Sequence, residues 1–154
     1  MKHFLVSVLL LIAAHSFAQL PNFKPFVGYD EAQIKQTITG YNSFKEAYSE
    51  SGKTLYYTFT DFAVMYGLKG NGKCAKAWIM FNSSSQTSSM NQWFYDNGYN
   101  SKMNTQTGDY EWTKTISIRS NKQGVSDNEF ILTAIKLDET SFFFANKVAT
   151  LLGY

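Results

Sequence analysis

The chain has 154 residues, 44% hydrophobic and 17% aromatic, with 14 basic against 12 acidic side chains. That length suits one domain around a single core and is short for two. The near balance of charge, with Arg119 the only arginine and the lysines scattered, excludes the concentrated basic field that nucleic-acid binding requires.

Residues 1–18 read as an export signal: a positive start at Lys2, an apolar run from Phe4 to Ala14, and small residues Ser16 and Ala18 at the positions a signal peptidase reads. The apolar run is only about half of the roughly 20 residues that cross a bilayer. Cleavage after Ala18 is therefore expected, giving an exported protein, periplasmic or extracellular, with no membrane span after signal removal. Both histidines, His3 and His15, lie in that segment. A mature chain beginning at Gln19 has none, which excludes Ser-His-Asp and Cys-His catalysis and His-ligated zinc. Cys74 is the only cysteine, so no intramolecular disulfide forms, and it reads as a small, partly buried hydrophobe. No cofactor or metal is expected.

From Gln19 to Gly28, Pro21 and Pro25 predict an extended lead-in. Asp30 follows as a helix N-cap, with Gln33 at the third helical position completing a capping box. Ile34, Ile38, Tyr41 and Phe44 or Tyr48 recur at helical spacing, predicting a helix from about Glu31 into the mid-forties, ended by Ser49 to Gly52. Leu55, Tyr57 and Phe59 then alternate with threonines as in a half-buried strand. Asp61 and Phe62 turn the chain into a second strand, and Asn71-Gly72 predicts a two-residue hairpin loop to a third.

That loop fixes a register. One face pairs Gly70 with Lys73, Leu68 with Ala75, Tyr66 with Ala77, Val64 with Ile79 and Phe62 with Phe81, and is almost wholly apolar. The other sets Lys69 beside Cys74, Gly67 beside Lys76, Met65 beside Trp78 and Ala63 beside Met80. The run Gly70-Asn71-Gly72-Lys73 is too short for a phosphate-binding loop and is followed by a strand where that loop needs a helix.

Asn82 to Ser89 predicts a connection, with one glycosylation sequon at Asn82. A second helix is expected from the Ser89/Gln92 capping pattern, with Met90, Trp93 and Phe94 on one face and Asn97-Gly98 closing it. Tyr99 to Asp109 is polar and reads as a loop. Tyr110, Trp112, Ile116 and Ile118 predict a strand with one wet face. Glu129 to Leu137, apolar on both faces, predicts a strand central in a sheet. Thr140 to Phe144 reads as a short edge strand leading into a short helix that Gly153 ends.

The expected fold is α+β: an antiparallel sheet, a meander with an Asn-Gly hairpin, with two to three helices packed on one face. A tandem helix-plus-meander arrangement is compatible with this order, although no residue-level repeat accompanies it. A single domain over residues 19–154 follows.

Two classes of site fit these residues. The aromatic supply favours a non-catalytic binding module for a protein or saccharide partner, with Met65, Lys76, Trp78 and Met80 as the preferred patch and Tyr95, Tyr99 and Tyr110 near surfaces or loops. The bland reading of that patch is that a helix covers it. The alternative is a hydrolase acting on a glycan or other envelope polymer through Asp109 and Glu111, roughly 7 Å apart on one side of a strand. Solvated acids at a strand end are common, and Asp127, Glu129, Asp138 and Glu139 read as acids at turns. A structural envelope or matrix protein is a third class.

Overall fold

The computed structural model describes residues 23–103, 105, 110–118 and 128–146. In chain order these form helix α1 (Glu31–Thr37), strands β1 (Ser43–Ser49), β2 (Gly52–Thr58), β3 (Phe62–Leu68) and β4 (Cys74–Phe81), and a 3-10 turn at Ser84–Gln86. Helix α2 (Thr87–Asp96) follows, then β5 (Asn100–Met103), β6 (Tyr110–Ile118), β7 (Asn128–Lys136) and β8 (Ser141–Asn146). The eight strands form one antiparallel sheet in the order β1-β2-β3-β4-β8-β7-β6-β5. Each half of the chain supplies a helix and then a four-stranded meander, and the fourth strands of the two halves meet in the middle. The antiparallel sheet is as expected, and it dominates the fold, with two helices among the described residues.

Helix α1 starts as predicted. Asp30 accepts from the Gln33 N–H at 2.9 Å, and the Gln33 side chain accepts from the Asp30 N–H at 3.0 Å. It stops at Thr37, well before the mid-forties, because the β-branched run Thr37-Ile38-Thr39 and then Gly40 favour extended backbone, which Ile38 adopts. Phe44 and Tyr48 therefore lie on β1, where Phe44, Glu46 and Tyr48 share one face by period two.

The hairpin between β3 and β4 departs from the two-residue loop. Lys69 and Lys73 close it, the Gly72 N–H donates to the Lys69 carbonyl at 2.8 Å, and Gly72 takes φ +75°. A type I′ turn needs positive φ at two central residues, whereas here Gly72 alone has it, the mark of a longer loop with a glycine bulge. Leu68 consequently pairs with Cys74 instead of Ala75, so the predicted Gly70–Lys73 and Lys69–Cys74 pairs do not form. A register shift at Gly67/Leu68 absorbs the extra residue. Beyond it the expected pairs stand: Gly67–Lys76, Tyr66–Ala77, Met65–Trp78, Val64–Ile79, Ala63–Met80 and Phe62–Phe81.

The lead-in contributes more than an extended strap. Phe23, Phe26 and Val27 are buried, and Gly28 and Tyr29 bond both ways with Cys74, continuing the edge of β4 that β8 occupies farther along. The second helix begins earlier than predicted. Its capping box is Ser83 with Gln86, opening the 3-10 turn, while Gln92 donates to Asp96. Its end is as expected, at Asn97-Gly98.

Two further segments depart from what the sequence predicts. The stretch after Tyr99 holds a short strand, β5, against β6, in place of an uninterrupted loop. β8 lies between β4 and β7 at the centre of the sheet, and not at an edge; its run Phe142, Phe143, Phe144 supplies apolar side chains to both faces. Residues 1–22 and those from 147 on, which carry the export signal and the closing helix of the sequence reading, lie outside the described residues.

The core is built on the face that Leu55, Tyr57, Val64, Tyr66, Ala77, Ile79, Phe142 and Phe144 share. Ile34 and Ile38 from α1 and Met90 and Phe94 from α2 join the same buried cluster. The Phe94 ring meets those of Trp112, Phe142 and Phe144 at 4.5, 5.6 and 6.0 Å. Glu31 and Lys35 of α1 form ion pairs with Lys53 and Glu46 on that face.

Candidate functional site

The register that buries one face also composes the other. Following the paired residues from edge to edge gives a single transverse row: Lys45, Tyr56, Met65, Trp78, Phe143, Ile135, Glu111 and Lys102. Its middle five members are apolar or aromatic and its ends are charged. Neighbours across antiparallel strands lie about 4.5–5.5 Å apart, so these side chains form one continuous ridge. Trp78 and Phe143 touch at 5.3 Å between ring centroids, their planes tilted by 49°.

Rows made mostly of small side chains, with Lys76 and Met80 among them, border the ridge. On one side lie Thr54, Gly67, Lys76, Ala145, Thr133 and Thr113; on the other, Thr58, Ala63, Met80 and Ser141. Thr133 is buried and its hydroxyl donates to the Ala145 carbonyl at 3.1 Å. Gly67 has a steric reason: a Cβ there would stand 3.0 Å from Cγ of Lys76 and 3.4 Å from the Trp78 ring. The bare position lets the Lys76 chain lie across β3, with its Nζ 5.1 Å from the Trp78 ring centroid.

Tyr56, Met65, Trp78, Met80 and Phe143 are half-buried, whereas Ile131, Ile135 and Leu137 of the β7 arm are 38, 42 and 55% exposed. The ridge is therefore in contact with solvent along its length, most of all on the β7 side. The helices contribute their buried side chains to the opposite face.

The residues singled out from sequence separate into two groups. Met65, Lys76, Trp78 and Met80 come together on this face. Tyr95, Tyr99 and Tyr110 do not join them. Tyr95 is exposed on α2, and Tyr110 is exposed beside Trp112, at 6.2 Å between rings, on the helix-bearing side of β6. Tyr99 is buried, against the expectation of a loop residue, with its ring 5.1 Å from Phe94 and 5.5 Å from Trp93. Burial pushes its phenol well above the usual tyrosine range.

Tyr56 and Phe143 are members of the ridge that sequence reasoning passed over. The signal for Tyr56 was present, since a strand that buries Leu55 and Tyr57 must send Tyr56 to the other face. Phe143 had no such signal, because its place depends on β8 pairing with β4, far away in sequence.

For the carboxylate site, Asp109 and Asp127 lie outside the described residues. Glu111 stands in the ridge row, opposite Lys102 on one side and Ile135 on the other. Asp138 is spent on its own turn: it accepts from the Thr140 N–H at 2.7 Å, and this bond with the neighbouring hydroxyls holds its carboxyl below the usual range. Among the described residues, no three His, Cys, Asp or Glu side chains gather as a metal site, and no helix is long and apolar enough to cross a membrane. Cys74 is buried, and loss of solvent pushes its thiol up to about 12, which removes it from nucleophilic chemistry at neutral pH. Compared with family models, curated proteins and solved structures, the chain matches none.

Proposed function

We propose that this chain is an exported, non-catalytic binding module whose contact surface is the ridge-bearing face of its sheet, taking a protein or saccharide ligand. The observation that carries this reading is the transverse row, in which five apolar or aromatic side chains on five strands line up between charged ends. Rigid aromatic surface gives contact area at low entropic cost, and a row spanning the sheet is held in place by backbone pairing and not by loops.

The test is capture by immobilised protein, from native extracts and on glycan arrays, compared between the natural chain and Trp78→Ala. Loss of bound material by about tenfold or more, the size of one anchor contact, with a melting temperature shifted by only a few degrees, is the expected result. Parallel loss of binding and fold would make Trp78 a packing residue and remove the basis of the reading.

A further inference from the structure

We infer that the ligand of this face is a linear saccharide bearing carboxylates, laid across the strands along the Tyr56–Trp78–Phe143 ridge. The inference rests on the binding reading above and names the class of ligand.

Three features of the face point the same way. The first is shape. Tyr56 and Trp78 stand two strands apart, ~9.5 Å in the pairing direction, with Phe143 on the next strand. That is a run of rings along one line, suited to an extended chain whose apolar C–H surfaces repeat. The second is the composition of the borders. Thr54, Thr58 and Thr113 offer hydroxyls and Lys76 an ammonium beside the ridge, and Ala63 leaves room there. Rings flanked by hydroxyls and amines match a sugar, which is apolar on its ring faces and polar at its rim.

The third is charge. Off this face, Lys35, Lys53 and Lys136 are each paired with a carboxylate, and Lys114 donates to the Asn97 carbonyl. Among the described residues, neither Lys45 at the end of the row nor Lys76 beside Trp78 has a carboxylate partner, and both are exposed. Lys76 is held against the Trp78 ring at 5.1 Å, so an anionic group there meets a charged donor already oriented over the aromatic surface. Among the described residues, the β1–β4 half of the face thus offers two cations without a carboxylate next to its rings, while Glu111 accompanies Lys102 at the far end.

The experiment titrates the full-length mature protein, by tryptophan fluorescence and calorimetry, with a panel of linear acidic oligosaccharides (galacturonate, mannuronate and glucuronate-containing hexamers). Neutral hexamers and a poly-glutamate peptide serve as comparisons. The expected result is binding of at least one acidic oligosaccharide, weakened about tenfold by Lys76→Gln, as for one lost charge-assisted contact, and weakened by added salt. Trp78→Ala should abolish it and Trp78→Phe should retain part of it, which separates loss of the ring from loss of fold. Equal affinity for neutral hexamers, with no effect of Lys76→Gln, overturns the inference. So does binding of poly-glutamate through Trp78 without binding of any saccharide. If the whole panel fails while Trp78→Ala still abolishes capture from native extracts, the saccharide inference falls and the binding reading stands; if capture is also insensitive to Trp78, both fall.

Discussion

Phe94 of α2 and Trp112 of β6 stack face to face, with ring centroids 4.5 Å apart and planes 12° from parallel. Phe94 is fully buried, and Phe142, Phe144 and Tyr99 close around it. No smaller side chain fills that space. Phe94→Ala is therefore expected to cost about 3–5 kcal/mol in urea unfolding. A double-mutant cycle with Trp112→Leu should return a coupling of about 0.5–1.5 kcal/mol for the stack itself. A Phe94→Ala loss below about 1 kcal/mol would show that α2 is not anchored through this ring.

The end of α2 makes a second, separable prediction. The Gly98 N–H donates to the Tyr95 carbonyl and the Tyr99 N–H to the Phe94 carbonyl, both at 3.0 Å, with Gly98 at φ +71°. This is the Schellman arrangement, and its usual apolar contact is made by the rings of Phe94 and Tyr99. Gly98→Ala is expected to cost about 1–2 kcal/mol from left-handed backbone alone, since open space surrounds the position. Equal midpoints of denaturation for Gly98→Ala and the natural protein would exclude this cap.

Acid should act on the anchorage of α1. Glu46 is held down to about 2, chiefly by its bond to Lys35 and then by the Tyr48 hydroxyl. Glu31 is likewise lowered, by Lys35 and then Lys53. A carboxylate depressed in the folded state contributes stability that is present above its unfolded value, about 4.3, and lost as pH falls toward the folded one. The protein should accordingly lose stability between about pH 5 and pH 2. In Glu46→Gln that slope should be shallower, as read by thermal unfolding across the range; an unchanged slope would place the acid sensitivity elsewhere. These groups are solvent-exposed, and salt should blunt the effect.

Cys74 offers a probe of opening. With its thiol buried and its pKa pushed up to about 12, it should resist maleimide in native buffer at pH ~8 and react at the rate of a free thiol in denaturant. Fast native labelling would show that the segment 28–31, paired alongside Gly72 to Cys74, opens readily.

How far the sequence foretold this arrangement can be seen at particular residues. Local chemistry was legible: the Asp30–Gln33 box, the turn at Asn71-Gly72 and the alternation that sets Met65 opposite Trp78 all rest on neighbours in the chain. The continuation of α1 was misread because Ile34, Ile38, Tyr41 and Phe44 satisfy helical spacing while Phe44, Glu46 and Tyr48 satisfy strand spacing. The β-branched run at Thr37 to Thr39 and Gly40 weaken the helix there, and pairing with β2 fixes the segment after them as a strand. β5, with four exposed residues, carries no pattern of its own and exists because β6 offers it an edge. The junction of the ridge was hidden for the same reason, since Phe143 meets Trp78 only through the pairing of β8 with β4, strands from opposite halves of the chain, and Ile135 is carried to the row by its own hairpin with β8.

The place of β8 has a consequence for how the molecule comes into being. It is the last of the described strands to leave the ribosome, yet it fills the gap at the centre of the sheet. Until it arrives, β4 and β7 each present an unsatisfied row of amides and carbonyls, the kind of edge that pairs with other chains. Neither meander can be joined to the other before then, and the long loop closed by this step belongs to slow, non-local folding. The same strand completes the ridge by bringing Phe143 beside Trp78. Joining the halves and assembling the surface are thus a single event, and a half-made chain has neither a closed sheet nor a whole ridge.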